Sequence, residues 1–65
     1  MITNLTEREK QILTLTLNGD APIKIASDLG LAETTVYTHR RSATLKMGVK
    51  TPEHAAVRAK RRGLI

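Results

Sequence analysis

The sequence contains no cysteine, phenylalanine or tryptophan, and tyrosine occurs once. Without thiols there is neither a disulfide framework nor a thiolate metal site. The imidazoles are limited to His39 and His54, which fall short of a zinc signature, so we expect no metal and no cofactor. No apolar run approaches the roughly eighteen residues that span a bilayer, and no basic N-terminal region precedes an apolar stretch. These absences predict a soluble, intracellular protein.

The length of the chain also limits what it can do. Its 65 residues are enough for one domain, 1–65, in which a single core supplies roughly 3 to 5 kcal/mol. A deep catalytic cleft is not expected at this size. No nucleophile, base and orienting group occur together in the sequence, so an enzyme is not predicted.

Charge is distributed unevenly along the sequence. The net charge is +5, but residues 1–36 carry a balance of −2 and residues 37–65 a balance of +7. This asymmetry is typical of a module that binds a polyanion, because neutralised phosphates release counterions. Anionic lipid is the alternative, which the lack of tryptophan and phenylalanine anchors weakens.

Local signals predict a first helix from about Glu7 to Asn18. Thr6 and Glu9 have the spacing of a capping box, and Gly19 ends the helix. Four apolar residues cover more than half of its circumference, so we expect it to be the most buried helix. They are Ile12, Leu13, Leu15 and Leu17.

The next two helices are separated by a tight glycine corner. Asp20 or Ala21 caps the second helix, which has Pro22 in its first turn and closes at Gly30. Its inward face is predicted to consist of Ile25, Ala26 and Leu29. The third helix then runs from about Glu33 to Met47 and ends at Gly48.

A fourth helix is predicted over about 52–62. Thr51 supplies a hydroxyl cap, Pro52 the first position and Glu53 an acid in the first turn, and Gly63 ends the helix. The chain is therefore expected to be an all-α, compact four-helix domain. A short helix, a glycine turn and a longer helix over about 21–40 form a helix-turn-helix motif within it.

The third helix has two distinct faces at about 100° per residue. One face is apolar and must point to the core: Val36, Ala43 and Met47. The opposite band holds Thr38, Arg41 and Leu45, flanked by Tyr37, although a small rotation is expected to bury Leu45. A slim helix with outward hydroxyl and guanidinium groups fits the major groove, so the sequence predicts a reader of duplex DNA.

Landmarks along nearly the whole chain carry a family resemblance. They are Leu5-Thr6-Glu7-Arg8-Glu9, Ile12-Leu13, Gly19, Ile25-Ala26, Leu29-Gly30, Thr35-Val36, Thr38-His39, Lys46, Gly48-Val49, Ala55 and Gly63-Leu64-Ile65. In their order and spacing the chain resembles the LuxR-type, or GerE-type, DNA-binding domain of bacterial transcription regulators. The resemblance implies a third helix in the major groove and a fourth that supports a homodimer on a roughly palindromic site.

The resemblance also implies roles for particular residues. Base contacts fall on Thr34, Tyr37, Thr38 and Arg41. Phosphate contacts fall on Lys24, Thr35, Arg40, Lys46 and Lys50. The dimer interface is expected at Ala55, Arg58, Ala59 and Arg62. For His39 a place at the edge of the helix packing is favoured over a phosphate contact.

Several positions depart from the family pattern. Ala32 stands where a serine or threonine commonly caps the reading helix, a loss of typically about 1 kcal/mol. Ile23 and Lys24 replace a Lys-Glu pair, and Tyr37 replaces a frequent lysine, which indicates a different operator.

Two functional classes follow from this reading. The first is a sequence-specific transcription regulator that binds double-stranded DNA; the second is an adaptor or anti-regulator that keeps the fold and binds RNA polymerase or another regulator. Both are expected in the bacterial cytoplasm at the nucleoid, or in a bacterial host as a phage-encoded protein. Met1 favours a free-standing protein over an excised output domain. Activator and repressor remain equal alternatives.

Overall fold

Four α-helices form the described part of the chain. A computed structural model describes residues 4–65, in which α1 covers Glu7–Leu17, α2 Pro22–Leu29, α3 Glu33–Met47 and α4 Pro52–Arg61, with no strand in that stretch. The all-α, four-helix prediction is confirmed. The predicted ends of α1 and α4 were one residue too long, because Asn18 and Arg62 are the C-caps of these helices.

The helix starts differ in how their backbone N–H groups are satisfied. The capping box of α1 is present: the N–H of Glu9 donates to Thr6 Oγ1 at 3.1 Å, and the N–H of Thr6 donates to Glu9 Oε1 at 2.9 Å. Thr51 caps α4 by accepting from the N–H of His54 at 3.1 Å. By contrast, α2 and α3 begin after Ala21 and Ala32, which cannot cap through a side chain. The two helices of the helix-turn-helix therefore have uncapped starts.

Glycine shapes the corner between α2 and α3. Gly30 has a φ of 67°, in the left-handed region where a side chain is strained. Just beyond it, the N–H of Leu31 donates to the carbonyl of Ala26 at 2.9 Å, which satisfies one of the free carbonyls at the end of α2. This closure turns the chain sharply into α3.

Two clusters of buried side chains hold the helices together. The first, which we call the lower cluster, joins α1, α3 and α4: Leu5, Leu13, Ala43, Met47, Ala55, Ala56 and Ala59, with Val49, Leu64 and Ile65 packed against it. The second, the upper cluster, joins α1, α2 and α3: Ile12, Ile25, Ala26 and Val36, with Leu15, Leu29 and Leu31 packed against it. Since α1 and α3 contribute to both clusters, they form the frame to which α2 and α4 attach.

Two apolar residues lie elsewhere than the sequence predicted. Leu17 is 39% exposed, because the buried side of α1 is centred on Ile12, Leu13 and Thr16 and Leu17 falls to one side of it. Leu45 is 68% exposed, so the rotation of α3 that would bury it does not occur. The reason is that Val36, Ala43 and Met47 already face the core completely.

Candidate nucleic-acid interface

The outer face of α3 presents the side chains that were predicted to read bases. Thr34, Tyr37, Thr38 and Arg41 are all exposed, while Val36 and Ala43 on the opposite face are fully buried. Burial of one face fixes the rotation of the helix about its axis, and the polar band follows from it. The predicted outward orientation of Tyr37, Thr38 and Arg41 is confirmed, and the base contacts themselves stay predictions.

The hydroxyl of Thr38 is partly committed to its own helix. Thr38 Oγ1 donates to the carbonyl of Thr34 at 3.0 Å, one turn earlier. The donor hydrogen is thereby used, which leaves the oxygen lone pairs and the methyl group directed at solvent. In this rotamer Thr38 offers an acceptor and an apolar contact.

Arg40 does not point outward with its neighbours. Its side chain is 12% exposed, and Nη2 lies 3.3 Å from Glu53 Oε2 at the start of α4. Its guanidinium carbon lies 5.8 Å from the centre of the Tyr37 ring. The sequence predicted a phosphate contact for Arg40, whereas the structure places its guanidinium between α3 and α4.

The lysines predicted to contact phosphates have different surroundings. Lys24 pairs with Asp28 at 2.8 Å on the surface of α2, and the hydrogen bond that Lys24 donates to Asp28, with the nearby charge of Asp20, raises the pKa of Lys24. Lys46 pairs at 2.8 Å with the buried carboxylate of Glu9. Lys50 is exposed in the α3–α4 connection and has no ion pair within residues 4–65. Of these three lysines, Lys50 has the freest ammonium group.

Glu9 is a buried acidic residue of α1 that contacts α3 through Lys46. Burial opposes ionisation of its carboxyl, but hydrogen bonds from Lys46, the N–H of Thr6 and the side chain of Ser42 outweigh it, so the pKa of Glu9 lies below its usual value of 4.5. The carboxylate therefore stays ionised at neutral pH and holds Lys46 against α1.

An open groove of about 500 Å³ runs beside the reading face. It lies between the outer side of α3 and the segment that leads into α4. Its lining combines cationic and apolar side chains: Tyr37, Arg40, Arg41, Thr44, Leu45, Val49, Lys50 and Pro52. The groove thus continues from Arg41 on the outer face of α3 to Lys50 in the α3–α4 connection.

The inner side of α4 is buried against other helices of the same chain. Ala55 and Ala59 have no exposed surface and pack in the lower cluster against α1 and α3. This corrects the prediction that they contact a second copy, because a residue buried within its own subunit has no surface left to share. Arg58 also acts internally, since its Nη1 donates to the carbonyl of Met47 at 3.1 Å and caps the end of α3. Among the four predicted dimer residues, Arg62 is the one that lies fully exposed.

Sequence reasoning did not find the partners of the buried charges. The spacing of Thr6 and Glu9 predicts the capping box that is present, but it gives no sign of the ion pair between Glu9 and Lys46, which lie 37 positions apart. Glu53 was read as a helix-start signal, yet its carboxylate also receives Arg40 from 13 positions away. A carboxylate on an otherwise apolar helix face was the available signal for Glu9, and no local signal marked Glu53.

Among residues 4–65 no helix is long and apolar enough to cross a bilayer. In that same stretch no three side chains among histidine, cysteine, aspartate and glutamate gather where they could hold an ion.

Comparison with known proteins gives consistent matches. The family model "GerE: Bacterial regulatory proteins, luxR family" matches residues 3–59. The chain is 40% identical over 57 residues to the HTH-type transcriptional regulator MalT of Yersinia pestis (strain Pestoides F), with 88% of this chain covered. The MalT of Yersinia enterocolitica serotype O:8 is also 40% identical over 57 residues. The chain spans about 6% of the length of these curated relatives.

A solved structure is similar over nearly the whole fold. The transcription factor GerE superposes with a TM-score of 0.85 at 30% sequence identity, covering 91% of this chain and 88% of that one. The four-helix arrangement is therefore shared with that solved structure.

Proposed function

The chain belongs to the luxR family of bacterial regulatory proteins, whose helix-turn-helix domain serves DNA-binding transcription regulation, and from this premise we propose that it reads a specific duplex sequence with α3 in the major groove. Two copies are proposed to bind a palindromic site, with residues 1–65 acting as one unit. The observation that carries the proposal is the exposed row of Tyr37, Thr38 and Arg41 on a helix whose other face is buried.

Each residue of this row is proposed to make a different kind of contact. Arg41 can grip guanine O6 and N7 with two hydrogen bonds, which discriminates against a wrong base by about 1 to 3 kcal/mol. Thr38 offers its methyl group to thymine or its oxygen lone pairs to a base donor. Thr34 and Tyr37 extend the row towards the start of the helix.

Phosphate contacts are proposed for the more accessible polar groups. Lys50 has an exposed ammonium group, and Thr35 lies half-buried in the first turn of α3. Lys24 can exchange Asp28 for a phosphate at little cost, because an exposed ion pair contributes little to stability. Arg40 and Lys46 are held by carboxylates, so we assign them to the frame of the domain.

The homodimer is proposed to assemble on DNA through the outer side of α4. The exposed residues of that side include three basic and one acidic side chain, so the surface is net positive: Glu53, His54, Val57, Lys60, Arg61 and Arg62. Two such surfaces repel each other in free solution, and nearby phosphates reduce the repulsion. Reading helices about one DNA turn apart, roughly 34 to 36 Å, would then set the spacing of the half-sites.

Selection of binding sites from random duplexes tests the proposal most directly. We expect one enriched palindrome whose affinity falls steeply with salt, and Arg41→Ala should flatten the preference at one position in each half-site. Arg8→Ala is the control, since it removes the same charge from α1, where Arg8 contacts Gln11. Failure to enrich any sequence would contradict sequence reading. Equal loss of discrimination in both variants would contradict the role of Arg41.

A second candidate is a protein-binding adaptor with the same fold. Leu45, 68% exposed, lines the open groove together with Tyr37, Val49 and Pro52, and apolar surface gathered at one groove favours a protein interface. An adaptor would bind its protein partner without nucleic acid and tolerate Arg41→Ala. No catalytic role is proposed.

A further inference from the structure

Arg40 connects the start of α4 to the aromatic ring on the reading face. Its Nη2 lies 3.3 Å from Glu53 Oε2, and its guanidinium carbon lies 5.8 Å from the centre of the Tyr37 ring. The side chain is 12% exposed, whereas Glu53 is 69% exposed. Glu53, Arg40 and Tyr37 therefore form a series of contacts from α4 to the surface of α3.

The burial of Arg40 makes each of these contacts matter. Removing a guanidinium from water is costly unless charged or polar partners replace its hydration. Among the described residues, the Nε of Arg40 is buried and has no hydrogen-bond partner. In the same part of the chain, Glu53 is the one carboxylate partner of Arg40, and Tyr37 is its one aromatic partner. Arginine suits this place because its flat guanidinium can lie over a ring face while its edge donates to a carboxylate.

Tyr37 is the residue that this arrangement constrains. Its ring is 51% exposed, and such a side chain exchanges readily among staggered rotamers unless a neighbour restricts it. The Arg40 guanidinium beside the ring face favours one of these rotamers about two- to five-fold. Recognition of a base edge requires that the contacting group be held in its productive geometry before binding.

We propose that Arg40, held by Glu53, positions the Tyr37 ring for base recognition, so that a residue of α4 helps to determine which sequence α3 prefers. The inference rests on the proposed reading of DNA by Tyr37. Arg40 and Glu53 are positioning residues in this scheme, because they act through Tyr37 and touch no base themselves.

The tyrosine itself provides a direct readout without DNA. Tyr37 is the single tyrosine of a chain that lacks tryptophan and phenylalanine, so its near-ultraviolet circular dichroism and fluorescence report on this ring alone. Glu53→Gln and Arg40→Met should each weaken the dichroism band and increase quenching by acrylamide. Glu33→Gln is the matched control, since it removes one acidic charge from the first turn of α3 and should leave both signals unchanged.

DNA discrimination gives the second readout. At the base pairs where Tyr37→Ala loses preference, Glu53→Gln should lose about two- to five-fold, and the double variant should lose no more than Tyr37→Ala alone. Glu33→Gln should raise the affinity for all sequences equally, because it only removes repulsion from phosphates. Glu53→Asp, which keeps the carboxylate, should recover part of the discrimination.

Three outcomes separate the possibilities. An unchanged tyrosine signal in Glu53→Gln would overturn the inference and leave DNA reading intact. A uniform change in affinity in Glu53→Gln, or a loss of discrimination that adds to that of Tyr37→Ala, would also overturn it. A wild-type protein with no sequence preference would contradict the proposed function itself, and this inference with it.

Discussion

Lys46 Nζ lies 2.8 Å from Glu9 Oε1 and so joins the last turn of α3 to the first turn of α1. The carboxylate is almost completely buried and also accepts the N–H of Thr6. The carboxylate of Glu9 thus caps the start of α1 and also holds the last turn of α3 against α1. The contact is internal, and it determines how α3 is held against the rest of the domain.

The first prediction concerns the pH dependence of stability. Because the pKa of Glu9 is lowered by folding, its contribution to the free energy of unfolding is present above pH 4.5 and is lost as the pH falls through the lower folded value. Glu9→Gln should reduce the free energy of unfolding by about 1 to 3 kcal/mol at pH 7, since the ammonium of Lys46 and the N–H of Thr6 both lose their charged acceptor. Urea denaturation at several pH values should show this difference shrinking below pH 4.5.

An exposed ion pair with the same N···O distance provides the control for Glu9→Gln. Lys24 and Asp28 are also 2.8 Å apart, but both side chains are largely exposed. Asp28→Asn should therefore leave the unfolding curve at pH 7 within error of the wild type. Equal destabilisation by the two variants would show that burial does not distinguish the pairs.

The second prediction tests the internal role of the α4 alanines. Ala59 has no exposed surface, so Ala59→Leu should overpack the lower cluster and cost about 1 to 3 kcal/mol, visible as a lower thermal midpoint. Lys60→Leu places the same side chain one position further on, at an exposed site, and should be far milder. A stable Ala59→Leu protein with altered self-association would instead place the alanine face between subunits.

The third prediction concerns the end of the reading helix. Arg58→Met removes the donor to the Met47 carbonyl and should destabilise the domain by about 1 kcal/mol in urea denaturation. Arg61→Met removes the same charge from an exposed position of α4 and should cost less stability. Both variants should weaken binding to random-sequence DNA to a similar extent, because they reduce the long-range attraction equally. A stable Arg58→Met protein would argue against the cap.

The fourth prediction tests the rotation of α3. Met47→Ala should cost about 2 to 5 kcal/mol, enough to unfold much of so small a domain, because Met47 is 2% exposed. Leu45→Ala, two positions earlier, should stay within about 0.5 kcal/mol of the wild type. Thermal unfolding followed by far-ultraviolet circular dichroism measures both. Similar midpoints would mean that the helix is turned differently about its axis.

The helices were predictable because their start and stop signals are local. Thr6 and Glu9 lie three positions apart, Pro22 and Pro52 open their helices, and glycine ends α2 and α3. The spacing of Val36, Ala43 and Met47 on α3 also sufficed to predict which side chains face outward. In each case the relevant residues lie within a few helical turns of each other.

The contacts between helices were not predictable in this way. A helical period shows that Ala55 and Ala59 share a face of α4 but not whether α1 and α3 or a second copy covers it. The direction of the Arg40 side chain likewise depends on Glu53, which tertiary packing brings near. The period of an amphipathic pattern shows which residues share a face of a helix, whereas tertiary packing determines which element contacts that face.

The attachment of α2 differs from that of the other helices. Within residues 4–65 it packs on α1 and α3 and makes no contact with α4, and its buried residues Ile25 and Ala26 belong to the upper cluster alone. A partial opening can therefore release this helix while the lower cluster stays intact, and its amide hydrogens should exchange with deuterium sooner than those in the middle of α1. Within residues 4–65 we therefore expect graded cooperativity, in which the support behind the corner at Gly30 opens before the lower cluster.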